Sequence, residues 1–161
     1  PMIRIRLLAA TLIATSLTAV PVYADFDSGL EAYTSGSFEM AAREWKPLAE
    51  QGHVAAQYHL GLLYEEGQGL PQDYDMARYW YMRAAEQGYV DAYFTLAEMY
   101  ASGRGALQDR SLAYHWYTLA AGRGHSRAKE VMGRYAPKLT TEQMAEAGRI
   151  TKAWMQVHVQ H

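Results

Sequence analysis

The chain has 161 residues, half of them hydrophobic and a fifth charged, with seventeen acidic against fifteen basic side chains and no cysteine. That composition supports one globular domain and excludes a disordered chain, while the missing cysteine excludes disulfides, thiolate metal sites, a cysteine nucleophile and a lipidated cysteine. A formal charge of −2, with no lysine or arginine cluster after the first few residues, speaks against nucleic acid as a partner, since phosphate binding needs a concentrated cationic footprint.

The first element, residues 1–24, reads as an export signal. Arg4 and Arg6 precede the apolar run Leu7 to Val20, and Val22-Tyr23-Ala24 supplies small residues for cleavage before Asp25. The run is shorter than the roughly 20 residues that span a bilayer, and Thr11, Thr15, Ser16 and Thr18 weaken it as a permanent anchor. An uncleaved anchor would leave the rest of the chain in the same compartment. Cleavage leaves a mildly acidic chain, thirteen basic against seventeen acidic residues, expected to be soluble in the periplasm or secreted and not an integral membrane protein.

Residues 25–161 read as one repeat domain. His53 to Gly88 laid over Tyr89 to Gly124 gives fourteen identities in thirty-six without a gap, among them Ala56/Ala92, Leu60/Leu96, Gly67/Gly103, Asp73/Asp109, Trp80/Trp116, Tyr81/Tyr117 and Gly88/Gly124. Ala56, Leu60 and Tyr64 lie four apart on one helical face, and Ala77, Trp80 and Ala84 mark a second helix. Between them Gly67 and Gly69 suit a tight reversal, Pro71 fixes φ, Asp73 suits an N-cap, and Gly88 and Gly124 suit the end of the second helix. Residues 26–52 form a shortened copy whose loop is cut to Thr34-Ser-Gly-Ser37, with Pro47 expected to kink its second helix. Residues 125–157 begin as a fourth copy through Ala128, Met132 and Gly133. They then depart into an atypical cap, where Thr140 or Thr141 starts a helix carrying Met144, Ala147, Ile150 and Trp154 on one face. Thirteen tyrosines against three phenylalanines suit half-buried rings between stacked helices.

Ala56-Gln-Tyr-His-Leu-Gly-Leu-Leu-Tyr64, Gly67-Gln-Gly-Leu-Pro-Gln-Asp73, Ala77-Arg-Tyr-Trp80 and Ala84-Ala-Glu-Gln-Gly88 resemble the Sel1-like repeat, a relative of the tetratricopeptide repeat. The second copy departs at Ala97, where Gly61 stands, and at Ala106-Leu107. The resemblance implies an all-α, right-handed solenoid of helix pairs used as a protein-binding adaptor, commonly in exported bacterial proteins. A cysteine-rich branch linked to penicillin binding is not carried over to a chain without cysteine.

Six histidines offer no converging set of three or four metal ligands, and His53 and His125 share the helix-start position of Tyr89, so no metal is expected. The carboxylate pairs Glu65-Glu66 and Glu142/Glu146 read as solvated helix faces, no nucleophile elbow is present, and Gly67-x-Gly69 and Gly103-x-Gly105 are repeat-loop glycines and not a phosphate cradle. Neither an enzyme nor a cofactor is therefore expected. The arc opposite the shared face of the first helix holds Tyr58, Leu62 and Glu65 in one copy and Phe94 and Glu98 in the next. If the first helices line the inner curve, as the resemblance implies, these five residues face a groove for a segment of another protein of the cell envelope. The competing class is a peptidoglycan-directed enzyme or a glycan-binding accessory protein, and the competing placement is packing of these side chains against the neighbouring repeat.

Overall fold

The computed structural model describes residues 24–158. The export signal expected over residues 1–24 lies, except for Ala24, outside the described residues. Helices α1 (Phe26–Thr34) and α2 (Phe38–Glu50) form the shortened pair. The two full repeats are α3 (Val54–Glu66) with α4 (Tyr74–Glu86) and α5 (Val90–Ser102) with α6 (Arg110–Gly122). Then come α7 (Ser126–Tyr135), a 3-10 turn (Ala136–Lys138) and α8 (Thr141–His158). Among the described residues there is no strand, and helices α1 to α7 each pack on their sequence neighbours in a stack.

Local chemistry recurs with the repeat. The side chains of Asp73 and Asp109 accept from the amides of Met76 and Leu112 at 3.0 and 2.9 Å, satisfying donors that an α-helix leaves free at its start. Gln72 and Gln108 donate back across their loops to the carbonyls of Glu65 and Ala101 at 2.9 and 2.8 Å, which accounts for the repeated glutamine. Gly69 and Gly105 have φ of 67° and 66°. A Cβ on Gly69 would lie 2.3 Å from the backbone of Phe38, and one on Gly105 would lie 2.6 Å from Tyr74 Cβ. Each loop thus presses on the start of the previous repeat's second helix, where only glycine fits.

Helix starts at the repeat seam use a different device. His53 and His125 turn Nδ1 onto the amides of Ala56 and Ala128 at 3.2 and 3.1 Å, the helix-start role their position suggests. Tyr89, in the same register, makes no such bond. Pro47 sits inside α2, which continues unbroken from Phe38 to Glu50.

The core is alanine-rich, with Ala56, Ala77, Ala84, Ala92, Ala113 and Ala120 fully buried, so helices approach closely around single large rings. Trp80 joins the cluster of Trp45, Ala56 and Leu60, and Trp116 the cluster of Tyr93, Leu96 and Tyr117, so the tryptophans matched between the two repeats are both buried. At the C-terminal end Thr140 and Gln143 form a reciprocal capping box at 3.0 and 3.1 Å that starts α8. Helix α8 then lies against α6 and barely touches α7. It covers His115 and Trp116 with Trp154, and His115 Nδ1 meets Thr151 Oγ1 at 2.9 Å.

Candidate partner-binding face

The register of the shortened pair becomes clear from two glycines. A Cβ on Gly61 would fall 2.6 Å from the Tyr81 ring, and one on Gly29 would fall 2.3 Å from the Trp45 indole. Gly29 therefore corresponds to Gly61 and Trp45 to Tyr81, which also makes Phe26 the counterpart of Tyr58 and Phe94. The shortened loop hides this correspondence from a fixed-offset comparison.

These three rings each pack on the ring that opens the next repeat's first helix, Phe26 and Phe94 stacked and Tyr58 tilted. Phe26 lies 5.0 Å from His53, Tyr58 lies 4.9 Å from Tyr89, and Phe94 lies 4.5 Å from His125, centroid to centroid. A line of aromatic pairs thus crosses α1, α3, α5 and the start of α7. Aromatic pairs at such separations add about 0.5–1.5 kcal/mol each beyond the area they bury. The Tyr58 hydroxyl reaches Thr95 Oγ1 at 3.4 Å, and the Arg127 guanidinium sits 5.4 Å from the Phe94 ring centre. The seam rings His53, Tyr89 and His125 were not legible as part of this face. Their recurrence directly after Gly52, Gly88 and Gly124 was the available signal.

Tyr58, Leu62 and Phe94 are half-buried against the core, and not freely exposed as an arc opposite the shared face would be. The physical reason is stacking. Each ring lies between the tyrosine of its own second helix, Tyr81 for Tyr58 and Tyr117 for Phe94, and the ring that opens the next repeat's first helix, which together cover part of it. Their outer edges remain accessible, beside the carboxylates of Glu65 and Glu98.

Those carboxylates are held by the core. Tyr81 donates to Glu65 Oε2 at 2.7 Å, and Tyr117 donates to Glu98 Oε1. Tyr81 and Tyr117 are equivalent, whereas Glu65 and Glu98 are not: Glu98 matches Leu62, one turn earlier. Over Gly61 the Tyr81 ring lies directly on the helix and its hydroxyl extends to Glu65. At Ala97 a methyl occupies that place, and the Tyr117 hydroxyl meets Glu98 instead. Burial, then the hydrogen bond to the neighbouring carboxylate, pushes both phenols well above the usual tyrosine range, so both remain donors. Arg104 approaches Glu65 at 3.6 Å and His125 approaches Asp91 at 3.6 Å. Four of the five residues singled out from sequence share this face through direct contacts, Tyr58 and Glu65 by way of Tyr81, and Phe94 and Glu98 by way of Tyr117. Leu62 packs against the same core cluster.

His59 sits at the N-terminal side of the face among Trp45, Tyr58, Phe26 and Tyr33, with centroid distances from 4.8 to 6.4 Å. Burial lowers its affinity for a proton. Among the described residues no three His, Asp or Glu side chains gather as a metal site, and no helix is long and apolar enough to cross a membrane.

The Sel1 repeat family matches residues 54–89 and 90–125. None of the curated proteins compared matches the chain. Among solved structures, c5321, a protective antigen present in uropathogenic Escherichia coli strains and displaying an SLR fold, superposes with a TM-score of 0.75 at 26% identity over 81% of this chain and 29% of its own. A Sel1 repeat protein from Oxalobacter formigenes superposes with a TM-score of 0.65 at 34% identity over 68% of this chain and 45% of its own. The chain thus spans less than half the length of either. With two matched repeats, and helix pairs stacked as in these solved relatives, the chain is a Sel1-repeat solenoid.

Proposed function

We propose that this chain is a non-catalytic adaptor of the cell envelope that holds a segment of a partner protein along the first-helix face, on Tyr58, Leu62, Glu65, Phe94 and Glu98. One observation carries the reading. The ring edges and carboxylates of that face are fixed before any partner arrives, by ring contacts across the seams and by the buried hydroxyls of Tyr81 and Tyr117. A preformed surface loses little side-chain entropy on binding, and half-buried aromatics next to fixed acceptors are what hot spots are made of. The acceptors favour a segment that brings N–H donors or cationic side chains. The Sel1 repeat, commonly a protein-interaction module, points to the same class of activity. Export follows from the apolar leader, with the mature chain starting at Asp25.

Affinity capture from envelope extract tests the binding face. Wild type, a Tyr58→Ala/Phe94→Ala variant and the milder Glu65→Gln/Glu98→Gln variant are compared, each shown by circular dichroism to keep its helix content. The expected result is loss of the same partners from both variants; equal recovery by all three overturns the face, and degradation of peptidoglycan by the purified protein overturns the adaptor reading. N-terminal sequencing of exported protein checks the leader, with Asp25 expected first and an intact Met2 on soluble cytoplasmic protein decisive against it.

A further inference from the structure

Because α8 leans on α6 and does not close against α7, an open apolar slot of about 800 Å³ remains at the C-terminal end of the stack. Tyr114 and Thr118 of α6 form its floor, Met132 of α7 one wall, and Met144 and Met155 of α8 the other, with Lys152 beside them. Met155 is 47% exposed. A slot of this kind in a soluble chain calls for an occupant.

The charge of the chain is divided along the same axis. Residues 25–109, which build α1 to α5, hold fourteen acidic and five basic side chains, whereas residues 110–158, which build α6 to α8, hold three acidic and eight basic. No short run of like charge marks this tilt. In a stack of successive helix pairs that ends with α7 and α8 both against α6, sequence position follows the axis, so the molecule has a negative and a positive end. The negative end carries its own apolar feature. On α1 the exposed residues Asp27, Leu30, Glu31 and Thr34 fall at i, i+3, i+4 and i+7 and form one stripe, with Leu30 between two carboxylates. Met40 of α2 is also exposed, at 53%.

We propose that the α7–α8 slot receives the α1–α2 end of a second copy of this chain, so that copies associate head to tail. Leu30, flanked by Asp27 and Glu31, matches a methionine-lined slot flanked by Lys152, and the opposed net charges of the two ends steer them together. Both halves of the contact are present on every copy, and this distinguishes a second copy from a foreign helix as the occupant. The contact joins two different surfaces, so it is heterologous and leaves one free end at each terminus of the assembly. It uses neither Tyr58 nor Phe94, and its failure would leave the adaptor reading untouched.

Sedimentation velocity on the purified protein tests it with variants at exposed positions only. Leu30→Lys/Glu31→Lys blocks the head and Lys152→Glu/Met155→Glu blocks the tail; Glu31→Lys alone serves as a second head variant if the double variant melts early. Wild type is expected to form dimers and longer species as concentration rises. The dissociation constant should rise at least about tenfold between low salt and a salt concentration that screens beyond a few ångströms. Each variant alone is expected to be monomeric, and the two mixed should give a 1:1 dimer and nothing larger, because each retains one working end. A wild type that stays monomeric at low salt overturns the proposal. So does a variant that still self-associates, or a mixture that does not pair.

Discussion

At Gly61 the backbone of α3 lies directly under the Tyr81 ring, and a methyl there would sit 2.6 Å from it. Alanine is the better helix former by up to about 1 kcal/mol, yet the ring is fully buried and its hydroxyl is bound to Glu65, so it cannot swing aside freely. Gly61→Ala is expected to destabilise by about 1–3 kcal/mol in denaturant unfolding, the usual cost of overpacking. The second repeat shows how the clash is relieved. Adding Leu62→Glu and Glu65→Ala to Gly61→Ala places the residue types of positions 97, 98 and 101 in the first repeat, and this triple variant is expected to be more stable than Gly61→Ala/Glu65→Ala. No gain from Leu62→Glu would show that the Tyr117–Glu98 arrangement does not depend on Ala97. The sequence displayed each of these residues, including the exchange of glycine for alanine, but not their pairing. A hydroxyl that chooses between acceptors one turn apart is decided by a ring shift of a few ångströms, which no periodicity encodes.

Among the helices, α8 is the one whose placement departs most from the repeat. Its apolar face of Met144, Ala147, Ile150 and Trp154 was readable from spacing, and Ala147 is indeed buried. Which helix that face would meet was not readable, because an apolar stripe states that a partner exists without naming it. The answer is α6, and the contact buries His115 between Trp116 and Trp154. Burial pushes His115 down to about 4 from an ordinary value of 6.5. The folded protein therefore keeps this ring neutral where the unfolded chain already binds a proton. Stability is complete above pH 6.5 and is lost as pH falls from about 6.5 toward 4, below which the contribution levels off. Melting temperature measured across that window should fall more steeply for wild type than for His115→Gln; parallel curves would mean that the ring is protonated in the folded state. His59, lowered in the same direction, adds a slope of the same sign that both proteins share.

Over the whole molecule, stability in a stack is a sum of units and seams, and the end units have one neighbour fewer. The helix pairs α3–α4 and α5–α6 are flanked on both sides, whereas α1 packs mainly on α2, with Phe26 and Tyr33 touching the first half of α3, and α7 leaves a slot on one side. Hydrogen exchange followed by mass spectrometry is expected to be slowest in α3 to α6 and fastest in α1 and α7. Uniform protection along the chain would show that the stack opens only as one cooperative unit. This graded architecture was legible in outline from the thirty-six-residue identity pattern, whose glycines, aspartates and tryptophans each mark a fixed place in the unit. The charge division was equally present in the sequence, but became a molecular property only once the stack turned sequence order into distance along an axis.

The recurring seam has a consequence for length. The junction Tyr58 on Tyr89 and the junction Phe94 on His125 are the same contact made twice, and the loop glycines Gly69 and Gly105 each seat on the second helix of the pair before them. A duplicate of residues 89–124 spliced in after Gly124 would therefore meet familiar surfaces on both flanks, its first helix receiving Phe94 through a second Tyr89 and its own Phe94 counterpart finding His125. The chain is in this sense extensible by whole units, like a ruler to which marks are added from the middle while both ends stay as they were.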